Sequence, residues 1–154
     1  RAYKMNKDRL REELAEDEGC KYEIYLEHLG LPTFGIGHLV VEDDPEYGKP
    51  VGTTVEQERV KQVFHLDVAV TLDECKVLYP DFDDLPEDCQ HIIANMMFNM
   101  GRPRLSKFKG MKAGVDARDW NKAADEMVDS RWYTQVPNRA RRLVDRMRAL
   151  SSEE

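Results

Sequence analysis

The sequence predicts an α+β fold that is predominantly helical, with a small N-terminal β-containing lobe and a helical C-terminal lobe joined by a long helix. Residues 21–26 alternate between apolar and polar side chains, as strands with one buried face do. Apolar residues recur at helical spacing over residues 54–79, and Pro80 ends that pattern. The chain beyond Pro80 keeps helical periodicity, which places the strands in the N-terminal third.

The length of 154 residues suits a single domain that is large enough to bury a core. Within it we distinguish an N-terminal helix and β lobe at residues 1–53, a connecting helix at residues 54–79 and a helical lobe at residues 80–154. A cleft between two lobes of this kind is a natural substrate site.

The N-terminal lobe is predicted to begin with a helix over residues 7–18, which Gly19 ends. A strand follows over residues 21–26, and a turn then leads to a returning strand over residues 33–40. Three apolar residues are expected on one face of the first strand: Tyr22, Ile24 and Leu26. The two glycines of the second strand weaken it and allow a ligand or another chain to approach the backbone.

The helical part has recognisable start signals. Thr53 and Thr54 are each followed three residues later by Glu or Gln, a capping-box pattern that starts the long helix at about residue 54. Pro86 precedes an apolar segment that is expected to be the central core helix. Asp119 is expected to cap a further helix, and the last helix is predicted to begin at Pro137.

Composition excludes several classes of function. The formal net charge of −7 disfavours nonspecific nucleic-acid binding, which needs an excess of Lys and Arg. No apolar run is long enough to span a bilayer, and no secretory signal is visible. Three separated cysteines indicate reduced thiols, and no spacing typical of a metal site is present, so we expect no metal and no cofactor.

Three polar residues suggest hydrolysis of a glycosidic bond. Glu18 lies at a helix C-terminus, where the helix dipole disfavours a negative charge and favours the protonated form that a general acid needs. If the turn brings Glu27 and Thr33 to face it, two carboxylates and a hydroxyl flank a cleft. A wide separation of the carboxylates predicts inversion and a close one predicts retention. Each acid also has an ordinary interpretation, Glu18 as a solubilising residue and Glu27 as a turn residue.

Two further residues attract attention for their charge. His38 is more often expected to be a hydrogen-bonded structural histidine than a ligand. Arg139 lies in the first turn of the last helix, where a cation is unfavourable, so it is a candidate to balance a buried acid.

Three motifs follow one another along nearly the whole chain. They are DEG at residues 17–19 followed by Glu27, Thr33 and GIGH at residues 35–38; NMMFNMG at residues 95–101; and SRWYTQVPNRA at residues 130–140. With these motifs in this order, the chain resembles the bacteriophage-type lysozymes, glycoside hydrolase family 24.

The resemblance implies hydrolysis of the β-1,4 bond between N-acetylmuramic acid and N-acetylglucosamine in bacterial peptidoglycan, with inversion. It implies that Glu18 is the general acid. Glu27 falls where the family usually has Asp, the residue that positions or activates water, and Thr33 falls at the Thr that helps to hold that water.

The same resemblance assigns supporting roles. It implies that Arg139 pairs with the acid-bearing Glu18, and that His38 pairs with an Asp of the long helix, for which Asp67 is the candidate. The residues at cleft-lining, substrate-binding positions are Leu39, Phe98 and Asn99.

Three features depart from the family. Glu27 is one methylene longer than Asp, the loop over residues 41–53 replaces a helix, and the chain is acidic where well-known members are strongly basic. We expect an active enzyme with the same mechanism. Two alternatives remain open: a chitin-oligosaccharide hydrolase, and a peptidoglycan-binding domain whose catalysis was lost through the change at Glu27.

The expected partner is bacterial peptidoglycan, with no nucleic acid and no membrane insertion, and the protein is expected to be a monomer. As a phage endolysin it would accumulate in the cytoplasm before release to the cell wall. A lysozyme domain of a virion protein, and a gene acquired by a cellular host, fit the sequence equally well.

Overall fold

The computed structural model describes residues 4–153 and confirms the predicted fold class, with one small antiparallel sheet followed by helices. The N-terminal elements are α1 (Lys7–Glu18), β1 (Lys21–Leu26), β2 (Pro32–Gly35), β3 (His38–Leu39) and α2 (Gln57–Leu78). The later helices are α3 (Glu87–Met100), α4 (Arg102–Leu105), α5 (Lys109–Asp116), α6 (Trp120–Val128), α7 (Arg131–Gln135) and α8 (Pro137–Ala149). Short 3₁₀ turns occupy Phe82–Asp84 and Leu150–Glu153.

The described chain divides into two compact units. One comprises residues 7–70, and the other comprises residues 71–153 together with residues 4–6. The division falls between Val70 and Thr71, within α2. The three-part division drawn from the sequence stays a prediction, and the two units are described separately.

Helix α1 has the predicted bounds and buries Leu10 and Leu14 completely. It ends because Gly19 adopts a φ of 74°, while its N–H still donates to the Ala15 carbonyl at 2.9 Å. The last helical residue is therefore Glu18, and its position is set by a glycine that cannot continue the helix.

Strand β1 matches its predicted bounds, but its predicted apolar face is only partly correct. Ile24 is buried, whereas Tyr22 and Leu26 are exposed. Tyr25 pairs with Thr33 of β2, and the pairing between these two strands shifts in the first half of β1. The irregularity breaks the strict alternation on which the prediction depended.

The prediction of one strand over residues 33–40 is wrong, because these residues form a hairpin. Strands β2 and β3 are antiparallel and are joined by a two-residue turn at Ile36 and Gly37. Gly35 and Gly37 adopt φ values of 64° and 65°, which glycine tolerates far better than other residues. The glycines thus reverse the chain.

The long helix begins at Gln57, three residues later than predicted, because both threonines of the predicted capping boxes have other partners. Thr54 forms an isolated antiparallel bridge with Glu23, and the Thr53 hydroxyl donates to the Pro50 carbonyl at 2.6 Å. The core of this unit consists of Ile24, Phe34, Val55, Val60 and Val63, with Ile36 and Val40 packed against it.

The C-terminal unit confirms the predicted helix starts. Helix α3 follows Pro86 and is almost entirely buried, α8 begins at Pro137, and the Asp119 carboxylate accepts a hydrogen bond from the Lys122 N–H at 3.1 Å. Within residues 4–153, no helix has the length and apolar character that crossing a membrane requires.

All three cysteines are free, in agreement with the prediction of reduced thiols. Cys20 is exposed, whereas Cys75 and Cys89 are buried. Burial raises the pKa of the Cys75 and Cys89 thiols well above the usual range, so both remain protonated and unreactive at neutral pH.

Candidate active site

Glu18 lies against the backbone of Gly37, the second residue of the hairpin turn. A Cβ atom added at Gly37 would lie 2.7 Å from Glu18 Oε1 and 3.1 Å from its carboxyl carbon. The partly buried carboxyl group therefore occupies space that a side chain would fill. Glycine is needed at this position for two reasons, its positive φ and its missing side chain.

Glu27 lies in the turn directly after β1, where its carboxylate organises the local backbone. Its Oε1 accepts hydrogen bonds from the N–H groups of Leu29 (2.7 Å) and Leu31 (2.9 Å). Its Oε2 lies 3.2 Å from Nδ1 of the exposed His28. One carboxylate oxygen is thus committed to the backbone of the turn, while the other is paired with an exposed side chain.

Thr33 is only 3% exposed, and its hydroxyl donates to the Leu31 carbonyl at 3.0 Å. The Leu31 backbone consequently contacts both predicted water-handling residues, through its N–H to Glu27 and its C=O to Thr33. Because the hydroxyl hydrogen is used, the Thr33 oxygen offers lone pairs that can accept a hydrogen bond from a water.

Tyr25 connects the two acids electrostatically. Burial raises the pKa of the Tyr25 phenol above its usual value, and the negative charges of Glu18 and Glu27 raise it further. Both carboxylates thus contribute to the raised pKa of one phenol, although they belong to a helix end and a turn. Lys21 Nζ lies 4.2 Å from the centre of the Tyr25 ring on the same strand.

His38, the first residue of β3, lies between two carboxylates. Its Nδ1 is 2.7 Å from Asp67 Oδ2, and its Nε2 is 2.8 Å from Asp44 Oδ2. Carboxylates only accept hydrogen bonds, so both ring nitrogens donate at once only when the imidazole is protonated. The geometry favours an imidazolium. The supporting role predicted for His38 and Asp67 in the reaction stays a prediction.

Arg59 extends this charged group into the loop over residues 41–53. Its Nε and an Nη donate to the two Glu46 carboxylate oxygens at 3.0 and 2.9 Å, and the same Nη donates to Asp44 at 3.3 Å. Asp44 also accepts from the Val41 N–H at 2.9 Å. The acidic loop is thereby attached to α2 and β3, although it contains no regular secondary structure.

The network shifts the ionisation of its members. Burial alone would lower the pKa of His38, but its hydrogen bonds with Asp67 and Asp44 outweigh that effect and raise it. Burial opposes ionisation of Asp44, yet hydrogen bonds from Val41 and His38 lower the pKa of its carboxyl group. The pairing of cation and anions therefore stabilises the charged forms of both.

The remaining predicted residues are placed as follows. Leu39 is 45% exposed on β3, in the same unit as the acids. In the C-terminal unit, Phe98 and Asn99 are half-buried in α3, and Asn99 Oδ1 accepts from the Trp132 indole N–H at 2.9 Å. Buried Arg139 donates to Asn95 Oδ1 at 2.7 Å. The predicted pairing of Arg139 with Glu18 and the cleft-lining roles stay predictions.

The sequence left three site residues unidentified: Tyr25, Asp44 and Arg59. Tyr25 was not predicted, because the prediction for β1 concerned Tyr22, Ile24 and Leu26, whose side chains alternate with that of Tyr25. Asp44 and Arg59 were hidden because neither has a motif; only the concentration of acids in the loop over residues 41–53 indicated a need for a compensating cation.

Comparison with known proteins identifies the family of the chain. Residues 15–149 match the family described as Phage lysozyme. The chain belongs to the phage lysozyme family. This membership confirms the predicted resemblance and the predicted enzyme class, a glycoside hydrolase of the lysozyme type.

Individual relatives differ in how much of their own length this chain covers. Probable T4-type lysozyme 2 of Dictyostelium discoideum is 31% identical, across 88% of this chain and 91% of that protein. Peptidoglycan hydrolase gp36 of Pseudomonas phage phiKMV is 32% identical, across 89% of this chain but 15% of its own length. Pre-baseplate central spike protein Gp5 of Enterobacteria phage T4 is 28% identical, across 86% of this chain and 26% of that protein.

The importance of the space that Gly37 leaves for the Glu18 carboxyl group can be tested with Gly37→Ala and a matched control, Gly48→Ala. Both glycines have positive φ, so each substitution should lower the free energy of unfolding by about 1 kcal/mol in urea denaturation. Only the Cβ at Gly37 meets a carboxyl group; at Gly48 nothing lies within 4 Å. We expect Gly37→Ala to lose roughly 100-fold in lysozyme activity through displacement of Glu18, and Gly48→Ala to retain activity. Equal activities would contradict this role.

The His38 network predicts a pH-dependent stability. The folded protein holds the His38 proton more tightly than the unfolded chain does, so the contribution is complete below pH 6.5 and is lost as the pH rises through the raised pKa. Urea denaturation of wild type and His38→Gln should therefore show a large stability gap at pH 6 that narrows at higher pH. The exposed His65→Gln is the control. A gap that does not change with pH would contradict the prediction.

The effect of the Glu18 charge on the pKa of Tyr25 can be measured by NMR titration of ring-labelled tyrosine. The Tyr25 signal is assigned with Tyr25→Phe. Since the Glu18 charge contributes to the raised pKa, Glu18→Gln should lower the pKa of Tyr25 toward the usual value of 10.0. The phenol remains buried in this variant, so the pKa of Tyr25 should stay above 10.0. Glu12→Gln, an exposed position on the same helix, should leave the Tyr25 titration unchanged. The same shift in both variants would argue against a local effect of Glu18.

Proposed function

We propose that this lysozyme hydrolyses the β-1,4 bond between N-acetylmuramic acid and N-acetylglucosamine in bacterial peptidoglycan. Glu18 acts as the general acid, and Glu27 with Thr33 handles the attacking water. The observation that carries this proposal is the close approach of Glu18 to Gly37 of the hairpin turn, together with the hydrogen bonds of Glu27 and Thr33 to the Leu31 backbone. Two carboxyl groups and a hydroxyl in one unit are the groups that hydrolysis of a glycosidic bond uses.

The position of Glu18 supports its role as proton donor. Its side chain extends from the last residue of α1, and the missing Cβ of Gly37 gives its carboxyl group a defined place. In the reaction, the Glu18 carboxylic acid donates its proton to the glycosidic oxygen as the bond from that oxygen to the anomeric carbon breaks. The anomeric carbon then develops positive charge, and water attacks this carbon.

The turn after β1 supplies the residues for that water. Thr33 can accept a hydrogen bond from it, while Glu27 Oε2 can accept its proton as the new carbon–oxygen bond forms. The Leu31 backbone holds both side chains, which suits the orientation of a single water.

Attack by a water held opposite the leaving group predicts inversion. The β-linked substrate then releases a product whose new reducing end is the α-anomer. Proton NMR during early turnover distinguishes this outcome from retention, in which Glu27 itself would attack the sugar and the β-anomer would appear first.

A second candidate function is binding of peptidoglycan without cleavage. One observation favours it: Glu27 Oε1 accepts from Leu29 and Leu31, an arrangement that a purely structural turn residue would also show. Under this alternative the chain attaches to cell walls and releases no reducing ends.

Peptidoglycan is the partner under either candidate, and the relative named peptidoglycan hydrolase supports that assignment. Glu18, Glu27 and Thr33 all belong to residues 7–70 of one chain, so we propose that the protein acts as a monomer. A free lysozyme and a lysozyme domain of a virion protein both remain compatible with the relatives.

The test is reducing-end release from purified peptidoglycan by the wild type, Glu18→Gln and Glu27→Gln. Both substitutions keep the side-chain length, and in Glu27→Gln the new amide oxygen can still accept from the two turn N–H groups. Wild type should cleave, and each variant should lose at least about 100-fold in rate because the proton donor or the base is removed.

Glu27→Asp and a second substrate complete the design. Glu27→Asp restores the residue usual in the family and is expected to keep or raise activity. Wild type that binds walls without cleaving, with cleavage gained in Glu27→Asp, would establish the binding alternative. Faster cleavage of chitin oligomers than of peptidoglycan would instead assign a chitin-oligosaccharide hydrolase.

A further inference from the structure

Arg59, in the first turn of α2, contacts both the loop over residues 41–53 and the hairpin formed by β2 and β3. Its guanidinium makes a bidentate contact with Glu46, with N–O distances of 3.0 and 2.9 Å, and donates to Asp44 at 3.3 Å. Its Cζ atom lies 5.9 Å from the centre of the Phe34 ring of β2. One side chain therefore joins an irregular loop to a strand of the hairpin.

The loop is held in place chiefly by polar side chains. Its large apolar side chains are about half exposed or more: Val41 at 49%, Tyr47 at 58% and Val51 at 58%. Its backbone hydrogen bonds from the Asp44 N–H to the Val41 carbonyl and from the Tyr47 N–H to the Asp44 carbonyl close local turns. Because this stretch buries little apolar surface, its attachment to other elements depends on its ionic contacts.

The hairpin packs on the same turn of α2. Val60 follows Arg59, and a Cβ atom added at Gly35 would lie 3.0 Å from Val60 Cγ1. The buried Phe34 ring contacts the His38 ring as well, with centroids 4.9 Å apart. A shift of the first turn of α2 would therefore be transmitted to both strands of the hairpin.

The hairpin in turn carries the residues that matter for the proposed reaction. Thr33 directly precedes Phe34, and Gly37 directly precedes His38. The Glu18 carboxyl group lies in the space that Gly37 leaves free. A shift of the hairpin would thus displace the hydroxyl and the carboxyl group together, and a misplacement of about 1 Å can cost roughly 100-fold in rate.

We propose that Arg59 is a positioning residue of this lysozyme, because its bidentate contact with Glu46 holds the loop over residues 41–53 in place beside the hairpin. Through the loop and the Phe34 ring, Arg59 thereby fixes the hairpin on which Thr33 lies. Arginine suits this role, since its planar guanidinium pairs with a carboxylate in one defined geometry. The inference rests on the proposed function, because it takes the residues carried by the hairpin as those that act on the substrate.

The contact is sheltered enough to persist under ordinary conditions. The exposed fraction of the side chain is 29% for Arg59, 14% for Asp44 and 11% for Glu46. Partly buried ion pairs are screened by salt less than exposed ones. The hydrogen bond from Arg59 also lowers the pKa of the Glu46 carboxyl group, so that Glu46 stays ionised at mildly acidic pH.

The first test measures reducing-end release from purified peptidoglycan by wild type, Arg59→Gln, Glu46→Gln and the double variant. The two single substitutions remove opposite charges, so a change of electrostatic field would act in opposite directions, whereas loss of a shared contact acts in the same direction. Each should lower kcat roughly tenfold with KM unchanged, and the double variant should be no slower than the slower single variant.

The matched control is Arg11→Gln, assayed at a temperature where circular dichroism shows every variant folded. Arg11 contacts Asp8 within α1 at 2.6 Å and is 25% exposed, close to the value for Arg59. It should keep the kcat of wild type. A wild-type kcat in Arg59→Gln, changes of opposite sign in the two single variants, or a double variant that shows the product of both losses would overturn the proposal.

The second test is NMR titration of His38, assigned with His38→Gln. Its ring lies between Asp67 of α2 and Asp44 of the loop, and Arg59 lies beyond Asp44. If the loop stayed in place, loss of the Arg59 cation would raise the pKa of His38. If the loop is released, Asp44 leaves the ring and the pKa of His38 falls toward 6.5.

The proposal therefore requires a lower pKa of His38 in Arg59→Gln than in wild type, and an unchanged or raised pKa would overturn it. This titration needs no catalysis. If wild type releases no reducing ends, the proposed function fails, and the His38 titration alone decides whether Arg59 holds the loop.

Discussion

The hairpin formed by Gly35 and Gly37 is the constraint on which the N-terminal unit depends. Two positive φ values reverse the chain within two residues, so that β3 lies beside β2 and not beyond it. His38 is thereby directed between Asp67 and Asp44. The missing side chain of Gly37 also provides the space in which the Glu18 carboxyl group lies. One local backbone requirement thus positions a structural ion network and a proposed proton donor together.

Charge is compensated locally in this acidic protein. The loop over residues 41–53 has few apolar contacts to hold it, and its acids would repel one another without a partner. Arg59 and protonated His38 supply that partner, and the bidentate contact of Arg59 with Glu46 gives the loop a fixed geometry. In the C-terminal unit, Arg118 likewise pairs with Asp81, and Lys112 pairs with Asp116.

Local patterns predicted the regular elements well because their causes are local. Helix α1 ends at Glu18 because Gly19 follows it, and α8 begins at Pro137 because proline suits a first helical turn. The single strand over residues 33–40 was predicted wrongly, since periodicity cannot show the φ of two glycines. The start of α2 was misplaced for a related reason: Thr54 pairs with Glu23, a residue far away in the sequence that no local pattern contains.

By itself, the sequence determined the fold class, the family and the residue types proposed for catalysis, because spacing and motif order are properties of the chain alone. Only the tertiary structure decided which groups act on one another. It brought the Glu18 carboxyl group against Gly37, and it committed one oxygen of Glu27 to the backbone. Such relations depend on distances between residues brought together by folding, and electrostatic and hydrogen-bond energies change steeply over those few ångströms.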